Sequence, residues 1–318
     1  MIINTSYEKA FDSLHKARYI LIVTHLNPDA DTLSSALALS NYLTEHKKKH
    51  KVFNKSKNLP NNLDHLHLFS KITHLEPKFY DLIVYMDCGD IERPGITFDS
   101  NITTLNFDHH ESNNNFATYN IVDINKASTS EVLFDFFEKN QMEISKNGAE
   151  CFYTGIYDDS LKFSTPRVDK STFDKISFLL EKKIDPNYLA QQLIRRDSLA
   201  KYRLLPRVLD SLELHHEGKT ATIYLLEEWL GTSGATIKDC DDAIDMILNI
   251  KIVDIVVFAR VIKGKTRISL RSKNGATVNE IAKHFNGGGH TMAAGCSHPS
   301  ADIDEVFKDI LNFIQGDK

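Results

Sequence analysis

The chain has 318 residues, a net charge of −5 and an ordinary composition, 42% hydrophobic and 25% charged. These values favour a soluble globular protein of about two domains. They argue against long DNA as a partner, because proteins that follow long nucleic acids usually carry a basic surface. No apolar run reaches the about 20 residues that cross a bilayer, and Met1 to Ala10 lack a signal-peptide pattern. We therefore expect a cytoplasmic protein with no membrane partner.

The four cysteines are scattered and form no CxxC pair: Cys88, Cys151, Cys240 and Cys296. This spacing argues against a zinc site of thiolates and against a disulfide framework. We interpret them as small buried thiols in a reducing compartment, without a catalytic task for Cys88.

The first half of the chain alternates apolar runs with helical patterns. Runs rich in branched apolar residues predict three buried strands: 19–24, 82–86 and 102–107. Helical patterns cover 32–46 and 128–140. Ser128 and Glu131 stand at capping-box spacing, whereas the apolar stretch 151–157 fits either a helix or a strand. The alternation predicts an α/β fold with a mostly parallel sheet covered on both faces.

The second half begins with two helical stretches and then changes pattern. The helical stretches are 170–183 and 186–216, and the second is rich in arginine and lysine. Further strands are predicted at 220–225, 252–262 and 266–271, and further helices at 240–250, 277–285 and 304–314. We predict a larger N-terminal domain at 1–190, a linker helix at 191–215 and a smaller C-terminal α/β domain at 216–318. The active-site cleft is expected between the two domains.

Four acidic segments follow strands or apolar runs in the first half: 25–31, 87–90, 108–110 and 158–160. Because the carboxyl ends of parallel strands gather at one edge of a sheet, these segments should meet there. A single aspartate after a strand is often only a helix N-cap, but several carboxylates packed together repel and need compensation. Divalent cations supply that compensation, and carboxylate with imidazole suits manganese better than calcium or magnesium alone. Two such cations sharing a carboxylate form the clamp used in phosphoryl chemistry.

These segments resemble the motifs of the DHH phosphoesterase family. They read HLNPDAD at 25–31, DCGD at 87–90, DHH at 108–110 and DDSLKF at 158–163. The later GGGH at 287–290, followed by TMAAG, resembles the signature of the DHH-associated substrate domain. The resemblance implies that 1–190 is the metal-binding catalytic domain and that 216–318 binds the substrate.

The resemblance also implies roles for single residues around two Mn²⁺ ions, with Mg²⁺ or Co²⁺ as alternatives. The implied ligands are His25 and Asp29 for one metal, Asp31, His109 and Asp159 for the other, and Asp87 as a bridge between both. Asp108 is expected to orient the His109 ring, and His110 to lie near the scissile phosphate, so that Asp87, Asp108 and His110 form the catalytic group. A water between the metals would attack phosphorus. The implied substrate contacts are Arg271, Ser272, Gly288, Gly289 and His290.

Two departures from the family pattern concern the substrate more than the chemistry. Ala30 stands where many members carry glycine, and Asp158 stands where many carry a small hydroxyl residue. The SLKF wording at 160–163 is closer to pyrophosphatase relatives, but those relatives lack the GGGH domain.

We therefore expect a manganese-dependent phosphoesterase that cleaves short oligonucleotides or dinucleotides to 5′-mononucleotides, and that also acts on 3′-phosphoadenosine 5′-phosphate. The alternative is a cyclic di-AMP phosphodiesterase. A pyrophosphatase-like hydrolase and an inactive nucleotide-binding module are further alternatives. Dimers are common among relatives, so a homodimer stays open, although no dimerising seam is visible in the sequence.

Overall fold

The computed structural model describes residues 2–316, with side chains described from Tyr7 onward. Met1, Asp317 and Lys318, which belong to the predicted ranges 1–190 and 216–318, lie outside the described residues. The chain divides into two compact units, Met1–Arg196 and Asp197–Lys318. Within the described part of the chain, no helix is both long and apolar enough to cross a membrane.

The first unit is built on a five-stranded parallel sheet in the order β2-β1-β3-β4-β5. Its strands are β1 Tyr19–Thr24, β2 Lys49–Phe53, β3 Leu82–Met86, β4 Thr103–Asp108 and β5 Tyr119–Val122. Its helices are α1 Ile2–Lys16, α2 Ala30–Glu45, α3 Thr129–Lys139, α4 Lys146–Asp159, α5 Lys170–Glu181 and α6 Pro186–Ile194. The predicted α/β class with a mostly parallel sheet is confirmed, and the open choice at 151–157 is resolved as part of a helix.

The two faces of this sheet are covered in different ways. One face packs against α1 to α6, with Ile22, Val84 and Phe107 in the same apolar cluster as residues of those helices. The other face, which includes Val23 and Tyr85, packs against irregular segments through side chains such as Phe98. Both faces are covered as predicted, but one cover lacks regular structure. Continuous apolar strands are the expected sequence of a sheet that is buried on both sides.

The lysine-rich tract at 47–51 contributes to a strand that the sequence pattern does not predict. Strand β2 begins at Lys49 and pairs with β1 at the edge of the sheet, Tyr19 opposite Lys49. Lysines on an edge strand discourage pairing with another chain, which gives the charged tract a structural reason. Strand β5 was also missed, because YNIV is too short for a clear period.

The second unit is built on a six-stranded mixed sheet in the order β10-β11-β9-β8-β7-β6. Its strands are β6 Glu213–His215, β7 Thr220–Leu226, β8 Ile255–Ile262, β9 Lys265–Ser272, β10 Gly288–His290 and β11 Ala293–His298. Its helices are α7 Leu199–Asp210, α8 Glu227–Ser233, α9 Asp242–Leu248, α10 Asn279–His284 and α11 Ile303–Gly316. Helices α10 and α11 share an apolar cluster with one face, and α7 and α9 share another with β7 and β8.

The region expected to be helical from 186 to 216 is not one helix. Helix α6 ends at Ile194, Ser198 caps the start of α7, and Glu213–His215 form β6. Serine is a favoured N-cap residue, and the Ser198 side chain accepts a hydrogen bond from Lys201 N, which starts a new helix within the helical pattern.

Candidate metal centre and substrate residues

The predicted ligands lie where the first sheet meets its helices. His25, Asp87 and His109 each follow directly on the end of a strand, β1, β3 and β4. Asp29 is the N-cap of α2, and its carboxylate accepts a hydrogen bond from Thr32 N. Asp159 is the last residue of α4, so the fourth segment comes from a helix end and not from a strand.

The structure brings these side chains into three overlapping groups of donor atoms that lie within 4.8 Å of one another. The groups are His25, Asp29 and Asp87; Asp31, His109 and Asp159; and Asp87, His109 and His110. Asp87 approaches both histidines, with Oδ2 3.5 Å from His25 Nε2 and Oδ1 3.9 Å from His109 Nε2. Such a geometry could hold metal ions.

Both histidine rings present the Nε2 atom to the carboxylates. His25 Nδ1 lies 2.8 Å from Leu26 O, and His109 Nδ1 lies 3.2 Å from Lys126 O. A carbonyl oxygen only accepts, so each Nδ1 carries its hydrogen and donates. This arrangement fixes the ring and leaves Nε2 to bind a cation, as is usual for histidine metal ligands.

The hydroxyl of Thr32 contacts all three residues of the first donor group, including His25 Nε2 at 2.7 Å. Its Oγ1 lies 2.7 Å from Asp29 Oδ1 and 2.7 Å from Asp87 Oδ2. The hydroxyl has one hydrogen, so it can donate to only one of these carboxylates. The remaining oxygen charge favours a cation in this place.

Asp87 is held at both oxygens and has an unusual backbone. Thr32 Oγ1 lies 2.7 Å from Oδ2, and Thr129 Oγ1 donates to Oδ1 from 2.7 Å. The residue is 2% exposed and has a φ of 59°, which lies in the left-handed region that residues other than glycine rarely adopt. Strain of this kind costs about 1–3 kcal/mol and persists at functional sites where the surroundings impose it.

Asp31 is bound by the start of another helix. The backbone N–H groups of Thr129 and Ser130, at 2.7 and 3.0 Å, donate to its two oxygens. The N-terminus of α3 thus offers unpaired donors and the positive end of its dipole to the carboxylate. Gly155 in α4 leaves the room for this contact, because a Cβ there would overlap Ser130 Oγ.

The negative charges of the cluster are not fully balanced by positive charges of the protein. Burial, together with repulsion from Asp87 and Asp159, raises the pKa of Asp31 well above its ordinary value. Burial and the charge of Asp87 raise the pKa of Asp159 to about 8. Burial favours the neutral His25 ring, but hydrogen bonding to Asp29 and Asp87 outweighs it and raises the pKa of His25 to about 10. Groups that retain protons this strongly indicate a place that favours cations.

Asp87 and His109 differ from these groups, because the pKa of each is lowered. Burial opposes the charge of Asp87, but His25 and the two histidines at 109–110 outweigh it and lower the pKa of the carboxyl. Burial lowers the pKa of His109. An ionised carboxylate and a neutral imidazole are the forms that bind a metal.

Asp108 holds a different ring from the one expected. Its Oδ1 lies 2.7 Å from His110 Nδ1, whereas the His109 ring contacts Lys126 O, so the expectation that Asp108 orients the His109 ring is wrong. Its contact with His109 is through the backbone N at 2.9 Å. Hydrogen bonding to Asp108 raises the pKa of His110 to about 9.

The segment after Asp159 forms a left-handed turn. Leu161, Lys162 and Phe163 have φ of 49°, 61° and 66°. Ser160 Oγ accepts a hydrogen bond from Phe163 N at 2.9 Å, so the serine that follows Asp159 caps this turn. The neighbouring Asp158 has its pKa raised to about 6 by partial burial and by the charge of Asp29.

A buried group of charges lies behind His109 and the start of α3. Lys175, which is 5% exposed, lies 2.9 Å from Asp135 Oδ1 and 3.6 Å from Glu131 Oε1. Glu131 Oε2 accepts a hydrogen bond from Ala127 N at 3.0 Å. The predicted capping box is therefore half present, since Ser128 accepts from Glu131 N but Glu131 reaches Ala127 and not Ser128. The chain at 126–131 is thereby fixed where it contacts the ligands.

In the second unit, three of the five predicted substrate residues share one face of the sheet. Arg271 of β9 and His290 of β10 both pair with Ala293 of β11. Gly288 pairs with Gly295, which lies two residues after Ala293 on β11 and so faces the same side. Ser272 points to the opposite face, where it is buried and its hydroxyl donates to Ala276 O at 2.6 Å.

The three glycines of GGGH do different things. A Cβ at Gly287 would overlap Gly295 O, and one at Gly289 would lie 2.5 Å from Ala293 O. These two glycines are explained by the close approach of β11 rather than by a ligand. At Gly288 a Cβ would meet nothing within 4 Å, so this glycine leaves open space on the face of Arg271.

Several residues of the site carry no signal in the sequence. Thr32, Thr129, Gly155 and Lys175 belong to none of the four acidic segments, and only the Ser128 cap pointed to the start of α3. Cys88, fully buried with its thiol donating to Met86 O at 3.3 Å, has a raised pKa, chiefly from burial, and is a structural residue.

The chain is similar to known proteins over nearly its whole length. The chain is 28% identical to a probable bifunctional oligoribonuclease and PAP phosphatase NrnA of Streptococcus mutans, over 96% of both chains. It is 24% identical to the bifunctional oligoribonuclease and PAP phosphatase NrnA of Bacillus subtilis, over 92% of this chain and 93% of the relative. A crystal structure of an exopolyphosphatase-related protein from Bacteroides fragilis superposes with a TM-score of 0.90 at 27% identity, covering 97% of this chain and 96% of the other.

Two family models match the two units in turn. Residues 19–156 match the DHH family, N-terminal domain, and residues 219–316 match the DHHA1 domain. The predicted resemblance to the DHH family and the predicted class of enzyme are both confirmed. The chain therefore carries a DHH family N-terminal domain and a DHHA1 domain, and it is a hydrolase that acts on phosphate esters.

Proposed function

We propose that the protein is a phosphoesterase with two Mn²⁺ ions that cleaves short oligonucleotides to 5′-mononucleotides and also dephosphorylates 3′-phosphoadenosine 5′-phosphate. The observation that carries the proposal is that Asp87 belongs to two donor groups. One group contains His25 and Asp29, and the other contains His109 and His110. His25, Asp29 and Asp87 would hold one ion, and Asp31, His109 and Asp159 the other, with Asp87 common to both.

The bound cations would lower the pKa of water and polarise a phosphoryl oxygen. The protein's own share is to keep the ligands in position before substrate arrives. Thr32 and Thr129 orient the two oxygens of Asp87, and the N-terminus of α3 holds Asp31. Mixed carboxylate and imidazole donors fit manganese, and Mg²⁺ or Co²⁺ would be tolerated by the same set.

His110 would contact the scissile phosphate. Asp108 fixes its ring through a hydrogen bond to Nδ1, and this hydrogen bond raises the pKa of His110 and favours the protonated ring. A cationic ring held in one orientation can donate a hydrogen bond to a phosphate oxygen and stabilise charge that develops there. In the second unit, Arg271 and His290 would bind a substrate phosphate, since guanidinium groups bind phosphate oxygens in pairs.

The nucleotide substrate is supported by the names of the relatives. The proteins from Streptococcus mutans, Thermus thermophilus and Bacillus subtilis are named as oligoribonucleases and PAP phosphatases, and each similarity covers at least 92% of this chain. The DHHA1 match at 219–316 also favours a nucleotide substrate over pyrophosphate.

The test is product release with Mn²⁺ from pApA, pGpG, 3′-phosphoadenosine 5′-phosphate, cyclic di-AMP and pyrophosphate, compared for the wild type and Asp87→Asn. We expect mononucleotides from the linear dinucleotides, phosphate from 3′-phosphoadenosine 5′-phosphate, and no turnover by the variant. Faster opening of cyclic di-AMP than cleavage of pApA would favour the cyclic dinucleotide alternative. Phosphate from pyrophosphate alone would overturn the nucleotide proposal.

A further inference from the structure

One face of the second sheet carries little cover over β9, β10 and β11. Along β9 the residues alternate, with Thr266, Ile268 and Leu270 buried, and Arg267, Ser269 and Arg271 exposed or half-buried on the other side. The buried set packs with α10 and α11. The apolar cluster formed by α7 and α9 includes Val256 and Phe258 of β8 but no residue of β9 or β11.

The pairing of the strands arranges this face in three rows. The first row contains Arg271, Ala293 and His290, and the second contains Ser269, Gly295 and Gly288. The third contains Arg267 and Ser297. The middle row has almost no side chains, so it forms a shallow floor between two rows that carry cationic groups.

Arg267 carries a positive charge that the described residues around it do not compensate. The register places it directly opposite Arg260 of β8, and like charges opposite each other destabilise a sheet. Arg260 is compensated, because it lies 2.9 Å from Asp241 Oδ1 and 3.0 Å from Ser269 Oγ. Arg267 is exposed, and among the described residues it has no hydrogen-bond or ion-pair partner for its side chain.

We propose that this open face binds the sugar-phosphate backbone of the oligonucleotide, with Arg267 contacting a phosphate further along the strand than the one held by Arg271 and His290. The inference rests on the proposed function and extends it to the length of the substrate. The guanidinium of Arg267 has no anionic partner among the described residues, so its charge complements that of a phosphate. Its planar set of N–H donors can bind two oxygens of one phosphate at the same time.

The spacing along β9 makes the contact depend on substrate length. Arg267 and Arg271 are four residues apart on one strand, which at about 3.4 Å per residue separates their Cα atoms by about 14 Å. This distance is more than one nucleotide step, so a dinucleotide whose phosphate is held at Arg271 does not reach Arg267. A strand of five nucleotides does reach it.

The test compares Arg267→Gln with the wild type on 5′-phosphorylated pApA and on a 5′-phosphorylated adenosine pentanucleotide, both with Mn²⁺. For the pentanucleotide we expect KM to rise about tenfold with kcat little changed, as for loss of one phosphate contact. The dependence of log KM on log salt should also become shallower by about 0.7 for the pentanucleotide, because one fewer counterion is released. For pApA we expect less than a twofold change.

Lys308→Gln is the matched control, since it removes one exposed positive charge from α11, which packs on the opposite face. It should alter neither substrate. Equal losses on both lengths in Arg267→Gln, no loss on either, or an equal effect of Lys308→Gln would each overturn the inference while the proposed function stands. If the wild type cleaves neither oligonucleotide, the proposed function itself is wrong, and this inference falls with it.

Discussion

Gly155 of α4 lies directly against Asp31 of α2: a Cβ at position 155 would be 2.7 Å from the Asp31 carboxylate Oδ1. This contact joins the fourth acidic segment to the first through a residue that no motif contains. It explains why the helix that ends in Asp159 can lie so close to the start of α2 and α3. The contact also makes a glycine necessary for steric reasons, since its φ is not in the left-handed region.

Gly155→Ala should therefore displace the Asp31 carboxylate or Ser130. We expect a loss of unfolding free energy of about 1–3 kcal/mol from overpacking, and weaker Mn²⁺ binding, measured by urea unfolding and by metal titration. The control is Gly148→Ala in the same helix, where the nearest atoms would be 3.6 Å away, and which should stabilise by about 0.5–1 kcal/mol. Unchanged stability and metal affinity in Gly155→Ala would show that the packing at this point adapts.

Asp87→Asn should abolish turnover. The amide removes the charge that both donor groups share, so the loss should exceed the about 10–100-fold effect that is typical of changes to residues behind the metal ligands. Bound Mn²⁺ per chain, measured by elemental analysis after dialysis, should fall as well. Asp90→Asn is the control, because Asp90 accepts backbone hydrogen bonds from Glu92 and Arg93 in the same loop and lies outside the donor groups. Full metal content with retained activity in Asp87→Asn would refute the bridging role.

Lys175→Met should destabilise the first unit strongly. Removing the cation leaves Glu131 without its buried partner, whereas Asp135 keeps its ion pair with Lys126 at 2.8 Å. Breaking a buried pair costs about 3–5 kcal/mol. Because Glu131 fixes Ala127 N, the start of α3 should also move, which would weaken Mn²⁺ binding through Asp31 and His109. Lys170→Met in the same helix breaks only the exposed pair with Asp174 and should leave the unfolding midpoint and metal affinity nearly unchanged. Similar effects of the two substitutions would contradict the buried network.

His290→Ala should weaken substrate binding without loss of metal. His290 lies in the second unit, whereas every residue of the three donor groups lies in the first. We expect a higher KM for pApA with an unchanged Mn²⁺ content, determined by steady-state kinetics and elemental analysis on the same preparation. Loss of metal in this variant would mean that the assignment of His290 to the substrate is wrong.

His50 should make stability depend on pH below neutrality. Burial, with a contribution from nearby Lys51, lowers its pKa below the ordinary value of 6.5. The folded state therefore binds the proton less readily than the unfolded state, so this contribution to stability is present above pH 6.5 and is lost as the pH falls through the lowered pKa. His50 Nδ1 donates to Lys48 O at 2.8 Å, which opposes part of this lowering of the pKa, and Nε2 lies 2.8 Å from Ser40 Oγ. Urea unfolding between pH 5 and 8 should show a smaller pH dependence in His50→Asn, and an identical dependence would exclude His50 as its source.

The strands at 19–24 and 82–86 and the residues that follow them could be predicted from the sequence, because short apolar runs and the parallel-sheet rule are local information. The same holds for the match of HLNPDAD, DCGD and DHH to the family. The lysine-rich β2 and the break between α6 and α7 were missed, because the signals that mark an edge strand or a helix end are weak beside a strong helical or charged pattern.

By itself, the sequence determined which side chains can bind metal and which chemistry they favour. Only the tertiary structure decided that Asp108 holds His110, that α3 binds Asp31 through its backbone, and that Gly155 and Lys175 support the site. It also decided the register that sets Arg267 opposite Arg260 on an open face. The physical reason is that ligand identity is a property of single residues, whereas hydrogen-bond partners, helix approach and strand register depend on packing between segments far apart in the chain.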